Sequence, residues 1–330
     1  MAKNRFLRKV QKIKTGSYMV SLPMEWVKKN NIGQHTPVYV IEDPNNNIVV
    51  KIPTLKCIVE MDVEGLHGQV LEDVLKIMYM QGVSRIVLKS KSGFPDSILR
   101  VVRSLRQDLI GFEIEDLNFN EIRIEIKDSI EFIGNDQFLK YFKKSLKYLN
   151  SSLEELLKYD GSNGLHHIKE KLLEGKRTYR YLARLLSLAL REPERNGLPA
   201  SLQILYIENV VRLREIAYYI HRMIDFVEGL KNEELGVVKP LIEKAMQAID
   251  VIIKEEDMEK IRRIRDEVNH YEESLIAHAR APRVLHSAFA LRRIVHNILR
   301  IAENMYVARV ASQVNCVAEF EKIWAIQEET

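Results

Sequence analysis

The chain has 330 residues, 46% hydrophobic and 29% charged, an ordinary balance for a folded protein with room for two or three domains. No apolar run approaches the roughly 18 residues of a membrane-spanning helix, and the start Met1-Ala2-Lys3-Asn4-Arg5-Phe6 has no apolar stretch and cleavage site behind it, so neither membrane insertion nor export is expected and a cytoplasmic location is. The net charge of +4 is unevenly placed: residues 1–29 carry eight basic side chains against Glu25 alone, or +7, which leaves −3 for the remainder. A basic segment of this kind reads either as a solvated arm or as a surface for an anionic partner. Cys57 and Cys316 form no zinc, haem or redox spacing and are expected to be reduced and mostly buried.

The first 53 residues read as β-structure with one short helix. Tyr18, Val20 and Leu22 alternate with Ser17, Met19 and Ser21, as in a half-buried strand, and Gly16 suits a tight turn before it. Pro23 opens a helix over 24–29 that stops at Asn30-Asn31-Ile32-Gly33, and two strands follow around Val38–Ile41 and Ile48–Ile52, joined by the turn Asp43-Pro44-Asn45-Asn46-Asn47. So small a unit has too little core to stand alone, and it is expected to complete that core with a second chain.

Residues 54–130 read as a separate α/β unit. The order is a strand over Cys57–Val63, a helix carrying Leu71, Leu75 and Met78, a strand over 85–89, a helix through Ile98, Val102 and Leu105, and two strands ending in Ile122, Ile124 and Ile126. From 131 onward the pattern is helical, with spans at 135–158, 165–191, 200–229, 236–255, 257–280 and 283–325. These fall into two sets of three, 135–230 and 236–328, each ending in a long helix, which suggests a pair of three-helix bundles. The expected fold class is therefore multidomain α+β.

Three stretches carry resemblances. Arg8-Lys9-Val10-Gln11-Lys12, then Gly16-Ser17-Tyr18-Met19-Val20-Ser21-Leu22-Pro23-Met24-Glu25-Trp26 and Ile32-Gly33, resemble a SpoVT–AbrB domain. Leu109–Asp116 resembles the connecting α/β region of archaeal PhoU-like regulators, and Leu291–Ile298 with Ala302-Glu303 sits where PhoU proteins carry a related helix. The first resemblance implies a swapped-hairpin barrel made by two chains, with DNA bound through the first strand and turn. It assigns Arg5, Arg8, Lys9, Lys12 and Lys14 to phosphate or base contacts, Arg8 having the best claim to a guanine edge. Lys28 and Lys29 read instead as ordinary helix C-terminal lysines that offset the dipole. The second implies a helical domain linked to phosphate homeostasis, with a phosphate-signalling or transport protein as a possible partner.

PhoU bundles hold metal clusters through acidic residues four apart on a helix. Here those places carry Arg292 and His296, Arg214 and Tyr218, Lys176 with Tyr179 or Arg180, and Arg265 with Asn269. An arginine repels a cation, so no metal and no cofactor is expected. Arg214, Tyr218 and Arg222, like Arg292, His296 and Arg300, instead form polar, cationic stripes. These read as anion- or partner-binding, or as arginines paired with acids such as Glu208, Glu215 and Glu303. His166-His167 is not expected to make a two-ligand site, since adjacent helical residues diverge. There is no phosphate loop, dinucleotide fingerprint or recognisable nucleophile, and an enzyme is not expected. The reading is a homodimeric, DNA-binding regulator; the alternatives are a PhoU-like interaction subunit of a transporter or kinase complex, and a metal-dependent protein.

Overall fold

The computed structural model describes residues 6–14, 16–42, 47–52, 57–128, 133–161, 165–192, 196–254, 257–278 and 281–311. Two compact units emerge, one holding the N-terminal β segments and the other nearly everything after residue 56.

In the first unit, β1 (Gln11–Lys12) pairs antiparallel with β2 (Tyr18–Met19), Gln11 opposite Met19 and Lys12 opposite Tyr18. Gly16 closes the turn with φ +90°, a backbone that suits glycine, and the Gly16 amide donates to Ile13 O at 2.9 Å. The helix α1 (Met24–Lys29) follows Pro23, with Glu25 in its first turn and Lys28 and Lys29 in its last. β3 (Tyr39–Glu42) and β4 (Ile48–Lys51) pair with each other. The strand expected across 17–22 is regular only at β2, and every residue of 17–22 is exposed rather than half-buried. The physical reason is that a single chain supplies no second layer to cover the apolar side. Among the described residues no closed barrel forms, and none of residues 6–52 so described is buried. Arg5, the turn residues 43–46 and Cys316 lie outside the described residues. Cys57, expected to be mostly buried, proves to be only partly buried.

The second unit begins with a four-stranded sheet in the order β5-β6-β8-β7, made of β5 (Ile58–Asp62), β6 (Arg85–Lys89), β7 (Phe112–Leu117) and β8 (Glu121–Ile126). β5 and β6 are parallel, as the intervening helix α2 (Gly68–Met80) requires, and the other pairs are antiparallel. Leu71 and Leu75 of α2, with Ile98, Val102 and Leu105 of α3 (Asp96–Asp108), are buried with Ile86, Leu88, Ile122, Ile124 and Ile126 of the sheet. Charged residues on the strands pair across the sheet, as in Lys89–Glu60 at 2.6 Å and Arg85–Glu125 at 3.7 Å, and Lys127 just past β8 reaches Glu113 at 2.6 Å. A sheet covered on one face needs its charged residues on the other.

Six long helices follow: α4 (Asn135–Lys158), α5 (His166–Arg191), α6 (Ala200–Val227), α7 (Asn232–Lys254), α8 (Met258–His278) and α9 (Pro282–Ala311). α4, α5 and α6 pack on one another, as do α7, α8 and α9, while α6 lies along α9 and α4 along α7. Their leucine and isoleucine faces join the sheet core in one apolar cluster from Val63 to Ala308. α7 starts at Asn232 rather than 236, because Glu233 and Glu234 favour its N-terminal end and the Glu234 carboxylate accepts from the Lys231 amide at 2.9 Å. The span expected to run to 325 is described to Ala311. The α2 and α3 layer rests on α5. There Arg184, wholly buried, donates to both carboxylate oxygens of Asp128 at 2.7 and 2.9 Å and to the carbonyls of Tyr79 and Val83 at 3.0 and 2.7 Å. No described helix is long and apolar enough to cross a membrane.

Candidate functional site

The β1–β2 hairpin and the segment just before it display the basic residues. Arg8, Lys9, Lys12 and Lys14 are all exposed, and among the described residues none makes an ion pair. Lys12 and Lys14 flank the turn that Gly16 closes, since the Ile13 amide donates to Ser17 O at 2.9 Å and folds the segment back. Aromatic rings back two of the cations: Arg8 lies 5.6 Å from the Phe6 centroid and Lys12 6.0 Å from that of Tyr18. A hairpin bearing solvated cations free of carboxylates is equipped to meet an anionic surface, and phosphates attract it irrespective of sequence. The same unit exposes Leu7, Val10, Tyr18, Met19, Val20, Met24, Tyr39 and Val40, far more apolar surface than scattered single residues present.

The two helical stripes have different neighbours. On α9, Arg292 bonds the buried Glu272 at 3.0 Å and Arg300 bonds Glu303 at 2.8 Å. His296 sits among Arg293, Arg300 and Arg212, and its pKa is lowered by burial first and by Arg293 next. On α6, Arg222 reaches Asp225 at 3.4 Å and lies over the Phe226 ring, whereas Arg214 and Tyr218 are exposed and Arg214 has no acid bonded to it. Glu208 and Glu215 pair with Arg212, which belongs to neither stripe. Three of the six stripe residues are thus neutralised by local acids, at the i,i+3 spacing for Arg222 and Arg300 and across helices for Arg292.

Among the described residues, one group of metal-ligating side chains comes together: His166, His167 and Glu170, whose ligand atoms lie within 4.8 Å of one another. The adjacent histidines are gathered by Glu170, one at 3.5 Å and the other at 3.3 Å, and all three are exposed.

Residues 11–54 match the family described as antidote-toxin recognition MazE, bacterial antitoxin, a domain of the AbrB and SpoVT kind. Neither the curated proteins nor the solved structures give a match to the chain. The N-terminal unit is accordingly a MazE-type domain, consistent with a DNA-binding regulator, and the matched segment contains Lys12, Lys14, the Gly16 turn and both strand pairs.

Proposed function

We propose that this protein is a transcriptional regulator without catalytic activity, whose N-terminal head binds DNA as a homodimer and whose helical part receives a ligand or partner. The observation that carries the reading is the MazE-type match over a hairpin whose cations are solvated and unpaired. Arg8, Lys9, Lys12 and Lys14 are the proposed DNA contacts, joined by Arg5 from the residue run before them. A homodimer is the reading supported by the absence of any buried residue among the described residues of the head: apolar surface on that scale gains most by covering itself with a second copy. The helical part reads as PhoU-like, on the support of its two three-helix sets, and phosphate homeostasis is the pathway this suggests. Differential affinity of a ligand for two arrangements of the helices would then alter how a pair of heads meets DNA.

Fluorescence anisotropy of duplex DNA with the full chain, across a salt series, tests this. Binding should weaken steeply with salt, with a slope of about −0.9 per neutralised phosphate, and Arg8→Ala/Lys9→Ala/Lys12→Ala should lower affinity about tenfold or more and flatten that slope. Absence of binding at low salt rejects the reading. It would favour a second one, in which the head binds a protein and the helical part regulates a transporter or kinase complex; the toxin recognition in the matched family's description motivates it.

A further inference from the structure

Two cations of α5 lack the counter-charges that neighbouring basic residues have. Lys176 and Arg180 stand four apart on one helix face, and both are half-buried. Positions three and four away from either carry Leu172, Leu173, Ala183 or further cations and Tyr179, with no acid among them. Arg177, by contrast, bonds Glu174 at 2.6 Å and Arg184 bonds Asp128. Among the described residues, neither Lys176 nor Arg180 makes an ion pair. The Nη1 nitrogen of Arg180 is enclosed and meets no acceptor, and its guanidinium lies 5.9 Å from the Tyr179 centroid. Burial first and Arg180 second hold the Lys176 pKa below its usual value; Lys76 of α2 adds to this, while Asp108 and Asp225 oppose it from beyond bonding distance. His221 of α6 is lowered by burial first and by Lys176 next, so α5 and α6 turn these groups toward one region. Half-buried positive charges with no partner are costly to keep.

Along the same face of α5 the groove becomes apolar. Ala183, Ser187 and Leu190, with Ile207, Val211 and Arg214 of α6, line a cavity of about 210 Å³ that Tyr179 also borders. The cavity is smaller than the ~300–1,000 Å³ of sites for drug-sized ligands, which limits an occupant to a single ring or a short alkyl chain. Arg214 stands at its edge with no acid bonded to it.

We propose that the groove between α5 and α6 binds a small amphiphilic anion, its phosphate or carboxylate head held by Lys176, Arg180 and Arg214 and its apolar body in the adjoining cavity. The head group supplies the missing counter-charge through charge-assisted hydrogen bonds. The body removes apolar surface of Ala183, Leu190 and Ile207 from water. This site owes nothing to the DNA-binding head, and its test involves no DNA.

Calorimetric titration of the full chain with phenyl phosphate, benzoate and inorganic phosphate tests it. One of the two aromatic anions binds saturably, and the tighter identifies the head group. Inorganic phosphate, having no body, binds about tenfold more weakly or worse, and Lys176→Gln/Arg180→Gln weakens the aromatic anion by about tenfold or more. Ala183→Leu, which keeps every cation and fills the cavity, weakens the aromatic anion by a similar factor, and it keeps the test decisive if the charge variant fails to fold. Saturable binding of neither aromatic anion in the millimolar range overturns the proposal. So does unchanged affinity in both variants, or inorganic phosphate binding as tightly as phenyl phosphate.

Discussion

The carboxylate of Glu64 organises the loop that leaves β6. It accepts hydrogen bonds from the Lys91 amide at 2.8 Å, the Ser90 hydroxyl at 3.0 Å and the Ser92 hydroxyl. The Ser90 hydroxyl also lies 2.7 Å from the Gly93 carbonyl. The Ser92 hydroxyl first, and the Lys91 amide second, hold the Glu64 pKa at about 2 against an ordinary 4.5. A folded-state pKa depressed in this way contributes stability that is present above the unfolded value and is lost as pH falls from there through the folded one. Glu64→Gln should therefore flatten the dependence of the thermal midpoint on pH between 4.5 and about 2, and a carboxyl resonance of Glu64 titrating near 4.5 would refute the account. The same loop leads into Gly93, whose φ of +86° suits glycine. Gly111 is the stricter case: with φ +78°, a Cβ there would fall on the Lys127 carbonyl oxygen.

At the scale of elements, Arg184 decides how the sheet layer sits on the helices. Its guanidinium bonds both carboxylate oxygens of Asp128 and the carbonyls of Tyr79 and Val83, and Arg191 adds a bond to the Gly82 carbonyl at 2.7 Å. Removing one side of a buried pair leaves the other uncompensated, so Arg184→Met should cost about 3–5 kcal/mol in urea unfolding of the full chain. Asp128→Asn should act in the same direction, and the double variant should lose less than the sum, because the second change no longer orphans a charge. Additive losses would mean that the two residues act separately. The helical seam is also tied by polar pairs: Asn304 donates to the wholly buried Asn209 at 3.0 Å across α9 and α6, and Asn150 to Asp250 at 2.9 Å across α4 and α7. Polar pairs that link neighbouring helices at such buried and half-buried positions favour one register of the helices.

For the whole molecule, the contrast between the two units sets the expectation. The second carries one cluster of apolar residues from Val63 to Ala308, whereas no described residue of 6–52 is buried. Sedimentation velocity of the full chain should therefore show a dimer. Val20→Asp/Leu22→Asp, which puts carboxylates on apolar positions of the head, should shift it to monomer and lower DNA affinity with it. A wild-type monomer at micromolar concentration would reject the shared-core account.

Much of the helical part was legible in the sequence because amphipathic spacing repeats over many turns. The spans read at 135–158 and 165–191 differ from α4 and α5 by at most one residue. The strands of the sheet were legible for a similar reason, their alternation being enforced by one covered face, as at Ile122, Ile124 and Ile126. Short elements were less so: Tyr18 to Leu22 has the alternation of a strand, yet a ladder needs a partner and only Tyr18 and Met19 have one. The start of α7 was missed because Gly236 looks like a boundary, while the acids ahead of it favour helix. Local charge was readable too, and Lys176 and Arg180 could have been singled out by the lack of any acid three or four residues away.

The sequence by itself determined the helical and strand periods, the basic N-terminal segment and the cationic stripes at Arg214–Tyr218 and Arg292–His296, because each depends on residues within a few turns of one another. Tertiary structure alone decided which charges find partners beyond their own helix turn. Arg184 meets Asp128 across 56 positions, Arg292 meets Glu272 from another helix, and Lys176 and Arg180 are left half-buried without one. Burial and counter-charge are properties of what packs opposite a residue, and the chain's own neighbours do not specify that.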